Sequence, residues 1–220
     1  MVVPVGNEGA MMRDEQDELK WLANYVRDKK YAEAVLRRLC LGAEILGIEF
    51  AGYPDAMNIT VGDNLYKRGG NTESDSQYLL YQSQRPGGQA RLTIEGHWSV
   101  VPALPLPSAE GERSIVESLP SIATDEQLHQ LLTLRAERIV TVRLGVQAAH
   151  LLLCFESGRS LIVRGDDLYE SWQLVLTVME TKKQASEFWL LVDMPGGDIA
   201  IWTPDTFNPD FDASAQNSES

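Results

Sequence analysis

The sequence predicts an α+β fold: an N-terminal helical segment packed on antiparallel β-sheet, with two pseudo-repeated β-rich halves. Three observations carry this. Apolar residues recur at spacings of three and four over residues 14–39, the period that keeps one face of a helix apolar. Beyond Leu39 the apolar runs become short, alternate with polar residues and are parted by Gly- and Pro-bearing turns. Parallel sheet needs helical crossovers, so this pattern reads as antiparallel. The third observation is a strand–turn–strand phrase that occurs twice. One copy runs over residues 78–83, turns at Arg85, Pro86, Gly87 and Gly88, resumes over 90–96 and is followed by Trp98. The other runs over 150–156, turns at Ser157 and Gly158, resumes over 160–165 and is followed by Trp172. A repeated supersecondary unit signals a repeated fold element.

Residues 1–13 read as a flexible leader. The helical pattern is built from Leu19, Leu22, Ala23 and Val26, then Tyr31, Ala34, Val35 and Leu39, with a polar break at residues 27–30. Asp14, Glu15, Asp17 and Glu18 at its start and Arg37 and Arg38 at its end complement the helix dipole. Residues 45–50 and 56–61 alternate around Pro54 and Asp55 and predict a hairpin. A polar loop covers residues 63–76, and the first copy of the phrase completes a β-rich half ending at residue 101. Pro102, Pro105, Pro107 and Pro120 mark residues 102–122 as a linker.

The second β-rich half covers residues 123–203. It opens on a short helix with Thr124 as cap and Gln127 reaching back, bearing Leu128, Leu131 and Leu132. Strands follow over 138–144, the two arms of the phrase, 172–179, 188–192 and 199–202, the last two parted by Pro195, Gly196 and Gly197. Residues 42–50 align with 138–145, which extends the repeat upstream and leaves residues 52–76 as an insertion in the first half. The tail, residues 204–220, is acidic, rich in Ser and Asn, and reads as disordered.

Bulk properties narrow the function classes. The net charge is -13 over 220 residues, and an acidic surface repels nucleic-acid phosphate and anionic lipid while favouring a partner with a basic face. Residues 1–10 lack a basic segment followed by an apolar core, and no apolar run is long enough to span a bilayer; a cytoplasmic location is expected. Cys40 and Cys154 sit in apolar runs, without a disulfide framework. His97, His129 and His150 form no metal-ligand spacing, and neither a nucleophile elbow nor a phosphate-binding loop is present. No cofactor is expected.

The densest polar cluster is Arg164, Gly165, Asp166, Asp167, Leu168, Tyr169 and Glu170. Its carboxylates suit a divalent cation or an acid–base pair, an ordinary solvated turn, or a contact patch in which charge steers and the ring anchors. On the last reading the candidate partner-binding residues are Asp166, Asp167, Tyr169, Glu170 and, beside His97, Trp98. Trp172, Trp189 and Trp202 read as core rings within strands, and Trp21 as an exposed one.

Residues 138–202 bear a resemblance to small acidic bacterial domains of unknown function. It rests on Phe155-Glu-Ser-Gly158, Leu161-Ile-Val-Arg-Gly165, Glu170-Ser-Trp172, the Pro-Gly-Gly turn and Trp202. Some of those domains are toxin-immunity proteins, so the resemblance implies a toxin-neutralising binder; it assigns no functional residue. The expected function is a non-enzymatic protein-binding module that occludes the active site of a basic toxin. A structural or adaptor subunit that self-associates, and a metal-dependent enzyme using carboxylates and a histidine, are the alternatives.

Overall fold

A computed structural model describes residues 29–50, 56–63, 88–103, 108–119, 125–146, 148–166, 168–177 and 188–208. Several expectations fall outside these residues: the leader, the helix before Lys29 with Trp21, the loop over 64–76, the strand over 78–83, the Thr124 cap, and the tail beyond Asn208.

Helix α1 (Lys29–Cys40) buries Ala32, Val35, Leu36, Leu39 and Cys40, the stripe that three- and four-residue spacing places on one side. It is followed by strands β1 (Glu44–Phe50), β2 (Met57–Gly62), β3 (Gln89–Ile94) and β4 (Trp98–Val101), then helices α2 (Ala109–Glu117) and α3 (Asp125–Leu132). Strands β5 (Ile139–Leu144), β6 (Leu151–Phe155), β7 (Ser160–Val163), β8 (Trp172–Thr177), β9 (Phe188–Met194) and β10 (Asp198–Trp202) complete the chain. Pairing among these strands is antiparallel throughout. The α+β class is therefore as the sequence predicts.

The strands form a six-stranded sheet, ordered β1-β2-β3-β8-β9-β10, and a four-stranded sheet, ordered β4-β7-β6-β5. The order shows an exchange. The meander β1-β2-β3 is extended by β8 from the second half, and the meander β5-β6-β7 by β4 from the first. The two junctions match residue for residue: Ile94 at the end of β3 pairs with Trp172, and Val163 at the end of β7 pairs with Trp98. Each half thus lends its fourth strand to the other half's sheet. The phrase that occurs twice correctly equates β3 with β7 and Trp98 with Trp172. It misplaces one partner: β3 pairs with β2, although the phrase offered residues 78–83.

Because the strands are exchanged, the halves share one core. Val61, Leu92, Ile94, Trp172, Leu174 and Leu191 from the larger sheet join Val100, Val142, Leu153, Phe155 and Val163 from the smaller one and the stripe of α1 in a single apolar cluster. Helix α1 packs mainly on β5 and touches β10. The starts of β1 and β5 are stitched directly, Gly42 N donating to Ile139 O at 2.8 Å and Ile139 N to Ala43 O at 2.8 Å.

Two expectations are corrected here. The Pro-marked linker contains α2, whose first turn is capped by Ser108 accepting from Gly111 N at 3.1 Å. A capped helix with Glu110 and Glu112 at its positive end is stable where prolines merely flank it. The start of the tail is also ordered. Phe207 packs edge-on against Tyr31 and Trp189, with ring centroids 5.8 Å and 5.1 Å away, because two buried-face aromatics leave a slot that a third ring fills.

Candidate functional site

The two chain crossovers between the sheets lie side by side. Glu95 and Gly96 amides donate to Ser171 O at 2.8 Å and 3.0 Å, and Arg164 N donates to His97 O at 2.8 Å. Their closeness explains the glycines that end each copy of the phrase. A Cβ on Gly96 would stand 2.7 Å from Ser171 Cβ and 2.9 Å from Arg164 O; one on Gly165 would stand 2.9 Å from the Ala149 carbonyl carbon. Neither position has room for a side chain.

The first crossover is short, with one residue between Gly96 and Trp98, whereas six separate Gly165 from Trp172. The extra residues make the acidic loop singled out above. Its ends are anchored: Gly165 N donates to His150 Nδ1 at 3.0 Å, and Trp172 Nε1 donates to Ala149 O at 2.7 Å. Inside it, Leu168 N donates to Asp166 Oδ1 at 2.9 Å, an Asx-type turn that directs the next side chains outward. Leu168 is 81% and Tyr169 51% exposed; Asp166 is half-buried and Glu170 exposed. Asp166, Tyr169 and Glu170 therefore share one loop, with Leu168 between them, and Asp167 lies outside the described residues.

Trp98 does not join them. It is 4% exposed within the core cluster, because β4 is the exchanged strand and the ring fills the space between sheets. The expectation that Trp98 contacts a partner is corrected accordingly.

Beneath this loop lies a group that sequence reasoning did not single out. Asp193 is fully buried, and neither carboxylate oxygen has a hydrogen-bond partner. It pairs with Ile199 and follows Trp189 and Leu191 at strand spacing, so it points into the core. Its Oδ2 lies 3.2 Å from where a Cβ on Gly165 would stand. Burial pushes its pKa up to about 7; the Ser171 hydroxyl and the amides of Ser171 and Asp166 lie close enough to oppose the rise, while the Asp166 charge adds to it. These neighbours influence the carboxyl without forming a bond of good geometry to it. The signal in the sequence was phase: every second residue from Trp189 faces the core, and Asp193 falls on that face.

A second polar cluster grips the turn after β5. Lys29 Nζ donates to the carbonyls of Gly145, Val146 and Ala148 at 3.2 Å, 3.2 Å and 3.3 Å. Glu33 accepts from Leu144 N at 2.8 Å. Glu112, on α2, accepts from Val146 N at 2.6 Å and from Arg143 at 3.0 Å. Burial lowers the Lys29 pKa, opposed by the charges of Glu112 and Glu33. Each of these side chains is spent on backbone groups or on a neighbour, which makes the cluster a brace for the turn.

Of the histidines, His150 holds the Gly165 amide, His97 is half-buried at the first crossover and His129 is exposed on α3. Among the described residues, no three His, Cys, Asp or Glu side chains are grouped so as to hold a metal ion, Cys40 and Cys154 are not joined in a disulfide, and no helix is long and apolar enough to cross a membrane. Comparison of the chain with protein-family models, curated proteins and solved structures finds no match.

Proposed function

We propose that this protein is a non-enzymatic protein-binding module whose contact surface is the loop between β7 and β8. The observation that carries the reading is the adjacent exposure of Leu168 and Tyr169, 81% and 51%, flanked by Asp166 and Glu170. A Leu and a Tyr held in water forgo burial worth about 1.5–3 kcal/mol for a large apolar side chain, and a partner that covers them recovers it. Tyrosine anchors such contacts well, and flanking carboxylates steer a basic partner into place. The net charge of -13 extends that steering over the whole molecule. In its most specific form the reading takes the partner to be a basic toxin whose active site the loop occludes.

The test compares the wild-type chain with a Leu168→Asp/Tyr169→Ala/Glu170→Lys variant as immobilised bait in extract of the native host. All three positions are exposed, so the variant's circular dichroism and melting should match the wild type. Basic proteins retained by the wild type should be lost from the variant, and binding of each, once purified, should weaken at least about tenfold and fall with added salt. Equal retention by both baits would refute the loop as the contact surface.

A further inference from the structure

Asp193 sits under the loop and touches both of its ends. At one end is Gly165, whose Cβ position lies 3.2 Å from Asp193 Oδ2. At the other is Ser171, whose buried hydroxyl is, like both Asp193 oxygens, without a hydrogen-bond partner. A neutral carboxyl suits such a place, since it offers one O–H donor and acceptor oxygens to a hydroxyl and two nearby amides. A carboxylate there is a buried charge that neighbouring donors ease only in part and no cation balances.

We infer that protonated Asp193 latches the loop between β7 and β8 onto the core, and that ionisation of this carboxyl releases the loop. The Ser171 hydroxyl and the amides of Ser171 and Asp166 ease the charge, but burial outweighs them. On β9 and β8 no other described residue titrates, and β10 contributes Asp198, one pair further along the ladder. The loop brings Arg164, Asp166, Tyr169 and Glu170, the first crossover Glu95 and His97, and the far side of Gly165 is held by His150. Among these the charge that bears on Asp193 is that of Asp166, and it has the same sign. The carboxyl changes state at about pH 7, within the range in which a modest shift in surroundings alters its charge.

The consequence is that the Leu168–Tyr169 surface loosens as pH rises from about 4 to about 7 and is loosest above neutrality. That consequence rests on the proposed contact surface; the latch does not, and its test uses no partner. Amide hydrogen exchange of the full chain is followed by mass spectrometry from about pH 5 to about pH 8.5, each rate corrected for the intrinsic pH dependence of exchange. Protection of the amides between Gly165 and Ser171 should fall about tenfold per pH unit up to about pH 7 and level off above it, with opening free energies below that of global unfolding at the same pH. In Asp193→Asn the loop's protection should be independent of pH. In Ser171→Ala, which keeps the titrating group but removes a neighbour that favours its ionised form, the levelling point should move to higher pH. A loop whose protection is flat in the wild type, a slope that survives in Asp193→Asn, or loop amides that open only with global unfolding would each overturn the latch.

Discussion

Replacing Asp193 by Asn should stabilise the protein at neutral and alkaline pH and leave it unchanged in acid. The amide has the shape of a protonated carboxyl and never ionises, so the exchange isolates one charge in the core. The unfolded chain ionises Asp193 near its ordinary pKa of 3.8, whereas the folded chain does so at about 7. Below the lower value both states hold the proton and the carboxyl costs nothing extra. Between the two values the unfolded state has released its proton and the folded state has not, so stability falls as pH rises. Above the upper value both are ionised and the loss is complete. A difference of roughly 3 units at 1.36 kcal/mol each gives about 4 kcal/mol, a large share of the roughly 5–15 kcal/mol that holds a typical domain together. Urea unfolding at a series of pH values from about 4 to about 8 measures it, with the wild type subtracted from the variant at each pH so that other carboxylates cancel. The difference should be near zero at the acid end, grow by about 1.4 kcal/mol per unit, and flatten above about pH 7. Parallel curves, or a variant that loses ground to the wild type as pH rises, would refute the reasoning.

Two further substitutions test the frame that holds the loop. Glu112→Gln removes the charge that pairs with Arg143 at 3.0 Å and one of the two acceptor oxygens that the brace uses; a mostly buried pair broken on one side should cost about 3 kcal/mol in urea unfolding, and a loss under about 0.5 kcal/mol would mean the turn holds without the brace. Gly165→Ala drives a methyl to within 2.9 Å of the Ala149 backbone and should cost about 1–3 kcal/mol or more, whereas Gly158→Ala, with a φ of +83 but nothing within 4 Å, should cost only about 1 kcal/mol of backbone strain; melting temperatures in the reverse order would contradict the close approach of the crossovers.

The sequence made the elements visible and hid their assembly. Helical spacing found α1 and the buried Val35 and Leu39 within it, period-two alternation found β1, β2 and β5, and short apolar runs between turns found the later strands, because these signals are written within a few consecutive residues. The repeat went further and equated β3 with β7 and Trp98 with Trp172. What lay beyond reach were relations set by the fold alone. Nothing local says that β4 pairs with β7 and β8 with β3, and without that exchange Trp98 beside His97 reads as a surface ring. Helix α2 was legible in principle, from Ser108 as cap and Glu110 and Glu112 in the first turn, but the prolines on either side drew the reading toward a linker. Asp193 was legible only through its phase on β9, since an acidic residue near a turn is ordinarily solvated. Leu168 and Tyr169 were legible as a cluster, and their exposure depended on the Asp166 turn.

The exchange of strands also sets how an insertion at this place would serve the proposed contact. A loop at a hairpin tip is held by one pair of strands in one sheet, and its tip moves with the fraying of that pair. The loop between β7 and β8 joins two sheets instead, and its neighbouring crossover is bonded to it by the Glu95, Gly96 and Arg164 amides. Its ends therefore cannot drift without disturbing both ladders, since Trp172 begins the pairing with β3 and Val163 ends the pairing with β6 and β4. Only the inserted residues are left to respond, and a contact surface set on a rigid frame loses less entropy when it binds. The one weak point in the frame is the buried carboxyl beneath it. A core aliphatic at that position would remove the weakness together with the proposed response to pH, which sets the cost of burying Asp193 against the movement inferred for the loop.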